Sequence, residues 1–375
     1  MSELSLFDLL PEEEAARFRP LKADDWKWTF ADYPKQKNGL KVFSCFACGG
    51  GSTMGYKLAG FDVIGCCEID PKMNETYIKN HHPKHNFLMD IRDFNAIPNE
   101  ELPAELFGVD VIDGSPPCTT FSIAGDREES WGKKKKFREG QKEQTLDDLS
   151  FVFIETVKKL KPRIVVMENV EGLILGKAFS YVQQIYKGFD EAGYAVNHWL
   201  LKGELMGVPQ KRHRVFFVAI RKDININPND IDMTFHYEQV NYGTVKDGSN
   251  KKVSERTLVV LNALKPDEND CVKAWNRVHN PGKHEKRMWF NERVEHDENV
   301  ASTIRATGSY FDYTDKAFLS DKTIANISTF PQDYDFNGVN TQYICGMSVP
   351  PVMMKRVATR LIDEGVFKYK LDNTI

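Results

Sequence analysis

Between Lys41 and Glu68 the chain runs through a short apolar stretch, a cluster of glycines, a helical stretch and a second apolar stretch, an order that few folds accept. Lys41-Val42-Phe43-Ser44-Cys45-Phe46 and Asp62-Val63-Ile64-Gly65-Cys66-Cys67-Glu68 read as strands, with Gly49-Gly50-Gly51 turning the first into a helix that ends near Ala59. Strands joined through a helix run parallel with a right-handed crossover, and a parallel sheet needs cover on both faces. The alternation continues through Phe87-Leu88-Met89, Val109 to Ile112, Arg163 to Met167, Val196 to Leu201 and Val215 to Ile220, separated by helical stretches such as Leu149 to Leu160 and Phe179 to Ala192. In the first of these helices Leu149, Val152, Phe153, Thr156, Val157 and Leu160 recur at helical spacing, a stripe suited to lying on a sheet. The expected class is α/β, a doubly wound and mostly parallel sheet accompanied by a second, smaller domain.

The texture of the sequence divides it. Residues 1–37, with Glu12-Glu13-Glu14, Trp26 and Trp28, read as an N-terminal extension holding one short helix. Residues 38–221 carry the strand and helix alternation, and 222–325 turn rich in Asn, Asp and Lys and form the smaller domain. Residues 326–375 return to the sheet, with helix character from Gly346 to Asp363 and Val352, Met353, Val357, Ala358 and Leu361 on one face. With 375 residues, 41% of them hydrophobic and 28% charged, the chain is long enough for a substantial core and reads as soluble and globular. No apolar run reaches the length of a membrane span and the first residues do not form a secretory signal, so a cytoplasmic setting and no membrane partner are expected. Seven cysteines, an odd number, fit a reducing compartment. Cys45 and Cys48 have metal-ligand spacing, but no second pair completes a four-ligand site, so no metal is expected. The net charge of −4 gives no global signature of a nucleic-acid binder, although a local basic surface suffices to contact phosphates.

Chemistry concentrates where strands end. The run Asp113-Gly114-Ser115-Pro116-Pro117-Cys118-Thr119-Thr120-Phe121-Ser122 delivers a cysteine past the carboxyl end of an apolar strand, since proline fixes φ and lacks an N–H. Ligands of open α/β sheets bind in the crevice outside those ends, which makes Cys118 a candidate nucleophile rather than one more buried thiol. Gly49-Gly50-Gly51 lets the backbone approach a ligand, although a plain tight turn would use the same residues. Glu68, at the end of the second strand, is placed to accept from the ribose hydroxyls of a nucleoside cofactor. Asp90, after the third, suits either an adenine amino group or a solvated loop. Glu168, in Glu168-Asn169-Val170, ends the apolar run Arg163 to Met167 as a carboxylate able to share or donate a proton. Arg212 and Arg214 have period-two parity, which would put two guanidinium groups on one face.

The ordered set Phe46-Ala47-Cys48-Gly49-Gly50-Gly51, Glu68, Asp90-Ile91, Pro116-Pro117-Cys118, Glu168-Asn169-Val170, Gln210 with Arg212 and Arg214, Thr329-Phe330-Pro331-Gln332-Asp333-Tyr334 and Gly346-Met347-Ser348-Val349-Pro350-Pro351 resembles the motif set of the cytosine carbon-5 DNA methyltransferases. The resemblance covers roughly residues 41–221 and 300–363, and implies a Rossmann-like methyltransferase fold with a target-recognition domain at 222–325. It implies S-adenosyl-L-methionine as cofactor, held by Phe46, Ala47, Gly49, Gly50, Gly51, Glu68, Ile69, Asp90, Ile91, Pro117, Met347, Ser348 and Val349. It also implies that Cys118 attacks carbon 6 of a cytosine flipped out of double-stranded DNA, with Glu168 at ring nitrogen 3 and the amino group, Arg214 at carbonyl oxygen 2, and Arg212 beside them.

Further expectations follow from the resemblance. Residues 124–144, with Trp131 and Lys133 to Lys136, would form a loop closing over DNA, and Ser122, Lys133, Lys134 and Arg305 would touch it. Lys283, Lys286, Arg287, Trp289 and Arg293 mix charge with aromatic surface in the recognition region. A monomer in a bacterial or phage-infected cell, acting with or without a cognate restriction nuclease, is the implied setting. Two positions depart from the family pattern: Cys48 replaces a glycine of the first motif, and Gly346-Met347 stands where Gly-Asn is usual, so cofactor affinity or choice is expected to differ. An RNA (tRNA) cytosine methyltransferase, a relative using a modified S-adenosylmethionine and a catalytically weak DNA-binding relative share most of these motifs. A nicotinamide-dependent dehydrogenase would explain the glycine turn and Glu68 but not Pro116-Pro117-Cys118.

Overall fold

The computed structural model describes residues 21–117, 134–135, 144–145, 149–176, 179–284, 286, 288–289 and 291–368. In chain order the strands are β1 (Lys41–Cys45), β2 (Asp62–Glu68), β3 (His85–Leu88), β4 (Val111–Gly114), β5 (Lys134–Lys135), β6 (Gln144–Thr145), β7 (Ile164–Val170), β8 (Tyr194–Lys202), β9 (His213–Arg221), β10 (Arg293–Glu295), β11 (Tyr310–Asp312) and β12 (Ala317–Phe318). The helices are α1 (Gly51–Leu58), α2 (Pro71–His81), α3 (Ile91–Ala96), α4 (Leu149–Leu160), α5 (Phe179–Glu191), α6 (Tyr242–Val245), α7 (Glu255–Asn262), α8 (Val272–His279), α9 (Asp321–Ile327), α10 (Thr341–Met347) and α11 (Pro351–Asp363). Among the described residues no helix is long and apolar enough to cross a membrane.

Seven strands form one sheet in the order β3-β2-β1-β4-β7-β9-β8. β1, β2, β3, β4 and β7 pair in parallel, and β9 runs antiparallel to β7. The sheet is therefore α/β and mostly parallel, as the alternation of strands and helices requires. Its central strands are largely apolar, with Ser44 and Asp113 as polar exceptions in β1 and β4, and β4 and nearly all of β7 are buried. Strand β4 extends to Asp113 and Gly114, two residues that the sequence places in the turn. Both pair in register, Asp113 with Ser44 and Val166, and the α4 ring of Phe153 takes the space where a Gly114 side chain would be. Helix α4 occupies the residues its apolar stripe marks, with Leu149, Phe153, Val157 and Leu160 buried.

Helix starts follow local chemistry. Asp70 caps α2, accepting from the backbone N–H groups of Lys72 (2.9 Å) and Met73 (3.2 Å), with Pro71 at the first helical position. The segment expected to be helical from Gly346 to Asp363 is two helices, because Pro350 and Pro351 cannot donate to a continuous helix and instead start a new one. The apolar face of α11, Val352, Met353, Val357, Ala358 and Leu361, is buried and packs on α1. Near the N-terminal end of the described chain the short helix is a single 3-10 turn, Phe30–Asp32.

The chain divides into two compact units. One holds Thr29–Leu201, His213–Met233 and Asp333–Ile375, including the large sheet. The other holds the described residues up to Trp28, Lys202–Arg212 and Thr234–Gln332. This division differs from a single insertion at 222–325 at both edges. Gln210 Nε2 donates to the Ile327 carbonyl at 3.0 Å, tying 202–212 to the second unit, while Arg360 Nη1 donates to the Asp232 carbonyl at 2.6 Å, tying the chain up to Met233 to the first. The second unit has its own three-stranded sheet, β10-β11-β12, and a core of Val260, Leu261, Cys271, Ala274, Val294 and Phe311.

Candidate active site

In the sheet unit the carboxyl ends of β1, β2, β4 and β7 present the residues singled out by sequence. The turn after β1 is built on left-handed backbone: Phe46 has φ 56°, Cys48 46° and Gly50 82°. Only Gly50 adopts this without strain, and a side chain on it would collide with the His81 imidazole. Gly49 and Gly51 are equally hemmed in, by Ile344 and by the Val349 carbonyl. The three glycines thus admit α2, α10 and the segment after it as much as any ligand. Cys48 holds its conformation by donating its backbone N–H to Glu68 Oε2 at 2.7 Å. Burial, then the Glu68 charge, push the Cys48 thiol up to about 12, so it is protonated and unreactive at neutral pH.

Glu68 is buried at the end of β2, and its other oxygen accepts from the Asp70 N–H at 2.8 Å. Burial raises its pKa, and the backbone donors of Asp70 and Cys48 oppose that rise. The Ile69 backbone N–H donates to Glu68 as well, so of the about four acceptor positions of a carboxylate one stays available for a hydroxyl group. Opposite the turn, Ser348 Oγ is buried and hydrogen-bonds the Cys48 sulfur, with no nitrogen or oxygen partner among the described residues. An acceptor with spare capacity and a hydroxyl paired with a thiol, on two sides of a strained glycine turn, fit a polar, hydroxyl-bearing ligand. Ala47 and Val349 are buried, Phe46 packs on Phe153 with centroids 6.2 Å apart, and Ile69 and Pro117 are half-buried. Met347, the last residue of α10, is partly exposed. Asp90 caps α3 by accepting from Arg92 N–H at 2.9 Å, and Ile91 belongs to the hydrophobic core.

Glu168 and Arg214 meet at the neighbouring ends of β7 and β9, with Arg214 Nε 2.9 Å from Glu168 Oε1 and both side chains largely buried. The antiparallel register, which aligns Val170 with Arg214, brings them together across a sequence gap of 46 positions. Burial lowers the pKa of Arg214 and Glu168 counteracts it. Asn169 Nδ2 donates to the Pro116 carbonyl at 3.2 Å, fastening the Pro116-Pro117 turn to β7. Cys118 itself lies outside the described residues, as do Ser122, Lys133 and Arg287. Lys134 opens β5, which pairs antiparallel with β6. The alternation that would carry Arg212 and Arg214 to one face stops short, because β9 begins at His213. Arg212 is buried in the second unit and donates from Nη1 to the Ile304 carbonyl at 3.1 Å. Arg305, in the same unit, donates from Nη1 to Asn291 Oδ1 at 3.0 Å.

Asp113 escaped sequence reasoning. Buried within β4, it accepts from Ser44 Oγ at 3.3 Å, and burial pushes it up to about 7 against opposition from Ser52 and Ser44, with the Glu168 charge adding to the rise. Its sequence signal is an acid inside an otherwise apolar strand. Among the described residues no group of three or more His, Cys, Asp or Glu is placed to hold a metal ion.

Three comparisons bear on this geometry. The model of the C-5 cytosine-specific DNA methylases matches residues 40–363. The chain is 31% identical over 269 residues to the type II methyltransferase M.FnuDI of Fusobacterium nucleatum, covering 72% of this chain and 71% of that one. It is 26% identical over 342 residues to the type II methyltransferase M1.HphI of Haemophilus parahaemolyticus, covering 86% and 87%. Among solved structures, a putative DNA modification methyltransferase from an Escherichia coli prophage superposes with a TM-score of 0.62 at 18% identity, covering 87% of this chain and 99% of that one. A Spodoptera frugiperda DNMT2 mutant superposes with a TM-score of 0.61 at 14% identity, covering 86% and 100%. At those identities the structures speak for the fold alone.

Proposed function

Because the chain belongs to the family of C-5 cytosine-specific DNA methylases, whose members use S-adenosylmethionine as methyl donor, we propose that it methylates carbon 5 of a cytosine flipped out of double-stranded DNA at a specific sequence. The observation that carries this reading is the Glu168–Arg214 pair at the ends of β7 and β9. Cytosine offers, along one edge, an amino donor, a ring nitrogen and a carbonyl acceptor. A carboxylate fixed beside a guanidinium is the complementary arrangement: Glu168 accepts from the amino group and shares a proton with ring nitrogen 3, and Arg214 donates to carbonyl oxygen 2. Both interactions draw electron density from carbon 6 and favour attack there by the Cys118 thiolate. The carbon 6–sulfur bond raises electron density at carbon 5, which takes the methyl group; loss of the carbon-5 proton then expels Cys118. When bound, S-adenosylmethionine supplies a methyl group activated by a sulfonium.

Holding that cofactor falls to residues of the sheet unit. Glu68, with an acceptor position unused, accepts from the ribose, and the backbone of the 46–51 turn together with Ser348 faces its amino-acid end. Asn169 sets the height of the Pro116-Pro117 turn that leads to Cys118. Lys134 and Arg305 are proposed to contact DNA phosphates, and the unit containing 234–332 to read the sequence. The protein would act as a monomer on DNA in the cytoplasm, with a companion nuclease where it serves restriction and modification.

The test is mechanism-based trapping. Protein and S-adenosylmethionine are incubated with duplexes carrying 5-fluorocytosine, from which no carbon-5 proton can leave. A covalent adduct that disappears in Cys118→Ala is expected, and Glu168→Gln should slow its formation by about a hundredfold or more, as loss of a proton-sharing group does. An adduct that persists in Cys118→Ala defeats the proposed nucleophile. Trapping on 5-fluorocytosine RNA but on no duplex would move the substrate from DNA to RNA.

A further inference from the structure

We propose that Phe30, His81 and Tyr334 are positioning residues that hold the Gly49 carbonyl and, through it, the backbone of the turn that receives S-adenosylmethionine. This inference rests on the reading of that turn as the cofactor site and adds to it what sets the turn's orientation.

The Gly49 carbonyl accepts two buried hydrogen bonds, from His81 Nε2 at 3.1 Å and from Tyr334 Oη at 2.7 Å. A carbonyl only accepts, so the His81 proton sits on Nε2. Burial brings the His81 pKa down to about 3, so the ring is neutral and keeps this tautomer across the working pH range. Burial likewise raises the Tyr334 hydroxyl, which remains a donor. The turn needs such anchoring, because two of its non-glycine residues, Phe46 and Cys48, are left-handed and local preference alone would not hold them. A side chain at Gly50 would strike His81, so the imidazole lies directly on the backbone it supports.

Phe30 closes the outside of this clamp. It precedes residue 40, where the family match begins. Its backbone N–H donates to both oxygens of Asp333, at 3.0 and 3.2 Å, beside Tyr334. Its ring stands edge-on to His81, with centroids 6.2 Å apart and planes at 85°, and tilted against Tyr334 at 6.4 Å. Tyr77 packs edge-on to His81 from within α2, at 4.6 Å. The imidazole is thus gripped by aromatic rings, one of them from a stretch that the family match does not include.

Calorimetric titration of the full chain with S-adenosylmethionine, and with S-adenosylhomocysteine as a non-reacting probe, tests the proposal without recourse to activity. Tyr334→Phe and His81→Phe each remove one neutral hydrogen bond and should weaken cofactor binding about fivefold. His81→Gln, whose amide nitrogen can reach the same carbonyl, should recover most of that loss, and Phe30→Ala should weaken binding about threefold through lost ring packing. Wild-type affinity in Tyr334→Phe, His81→Phe and Phe30→Ala overturns the proposal. Equal loss in His81→Phe and His81→Gln assigns the effect to packing and overturns it too. If the wild-type chain binds neither compound, the reading of the turn as a cofactor site fails, and the proposal with it.

Discussion

Asp113 shows how far a single side chain can depart from its ordinary chemistry when a strand carries it out of water. Its folded-state pKa of about 7 lies above the ordinary value of 3.8, and Tyr56, Tyr77, Cys45 and Glu168 are the titratable groups around it. The folded protein therefore holds more protons at this site than the unfolded chain between about pH 4 and pH 7. Stability must fall as pH rises through that window, by roughly 3 kcal/mol from this group. Glu68 and Glu295, also raised by burial, add to the slope with the same sign. Urea unfolding at pH 5 and pH 8 should show the fall, and Asp113→Asn should remove most of it; an unchanged slope in the variant would assign it to other groups. Residue identity announced much of the rest. Glu68 and Glu168 stand at strand ends where acids are out of place among apolar runs, and both are buried in the sheet unit. The tasks of Asp113, His81 and Tyr334 were not legible, because each depends on a neighbour 30 or more positions away in sequence: Asp113 on Ser44, His81 and Tyr334 on Gly49.

At the scale of elements, helix α1 illustrates a conflict between local preference and packing. Gly55 sits inside this helix, where alanine would ordinarily gain up to about 1 kcal/mol. Here a β-carbon would lie 2.6 Å from the Pro351 carbonyl oxygen and 2.8 Å from the Lys355 nitrogen, both backbone atoms of α11. Neither can swing aside, so Gly55→Ala should destabilise by about 1–3 kcal/mol, the cost of overpacking, and thermal unfolding gives the sign directly. Periodicity located α4 and α5 well, since an apolar stripe and a covering sheet are two statements of one constraint. It failed where a local rule cut across the pattern. The helix expected from Gly346 onward breaks at Pro350 and Pro351, and β4 runs on through Asp113 because register with β1 and β7 outweighs the turn preference of Asp and Gly.

For the whole molecule, the proposed cofactor site would link binding to folding of the sheet unit, since Glu68, Ser348 and the 46–51 turn all belong to it. S-adenosylmethionine at a hundredfold excess over its Kd should stabilise that unit by about 2.7 kcal/mol, measured as a concentration-dependent rise in Tm. A Tm that stays constant as the cofactor is added would contradict a site assembled in the folded unit. The sequence by itself determined the α/β class, the strand ends where the candidate site residues stand and the family, because hydrophobic period, proline and glycine chemistry and ordered motifs act over a few residues at a time. Only the tertiary structure decided that Glu168 pairs with Arg214, that Asn169 fastens the turn before Cys118, and that Gly49 is held from two distant segments. It also decided where the units divide, with 202–212 in one and 213–233 in the other. Those outcomes depend on strand register and on which buried donors find which acceptors, and both are settled only when segments remote in sequence are packed together.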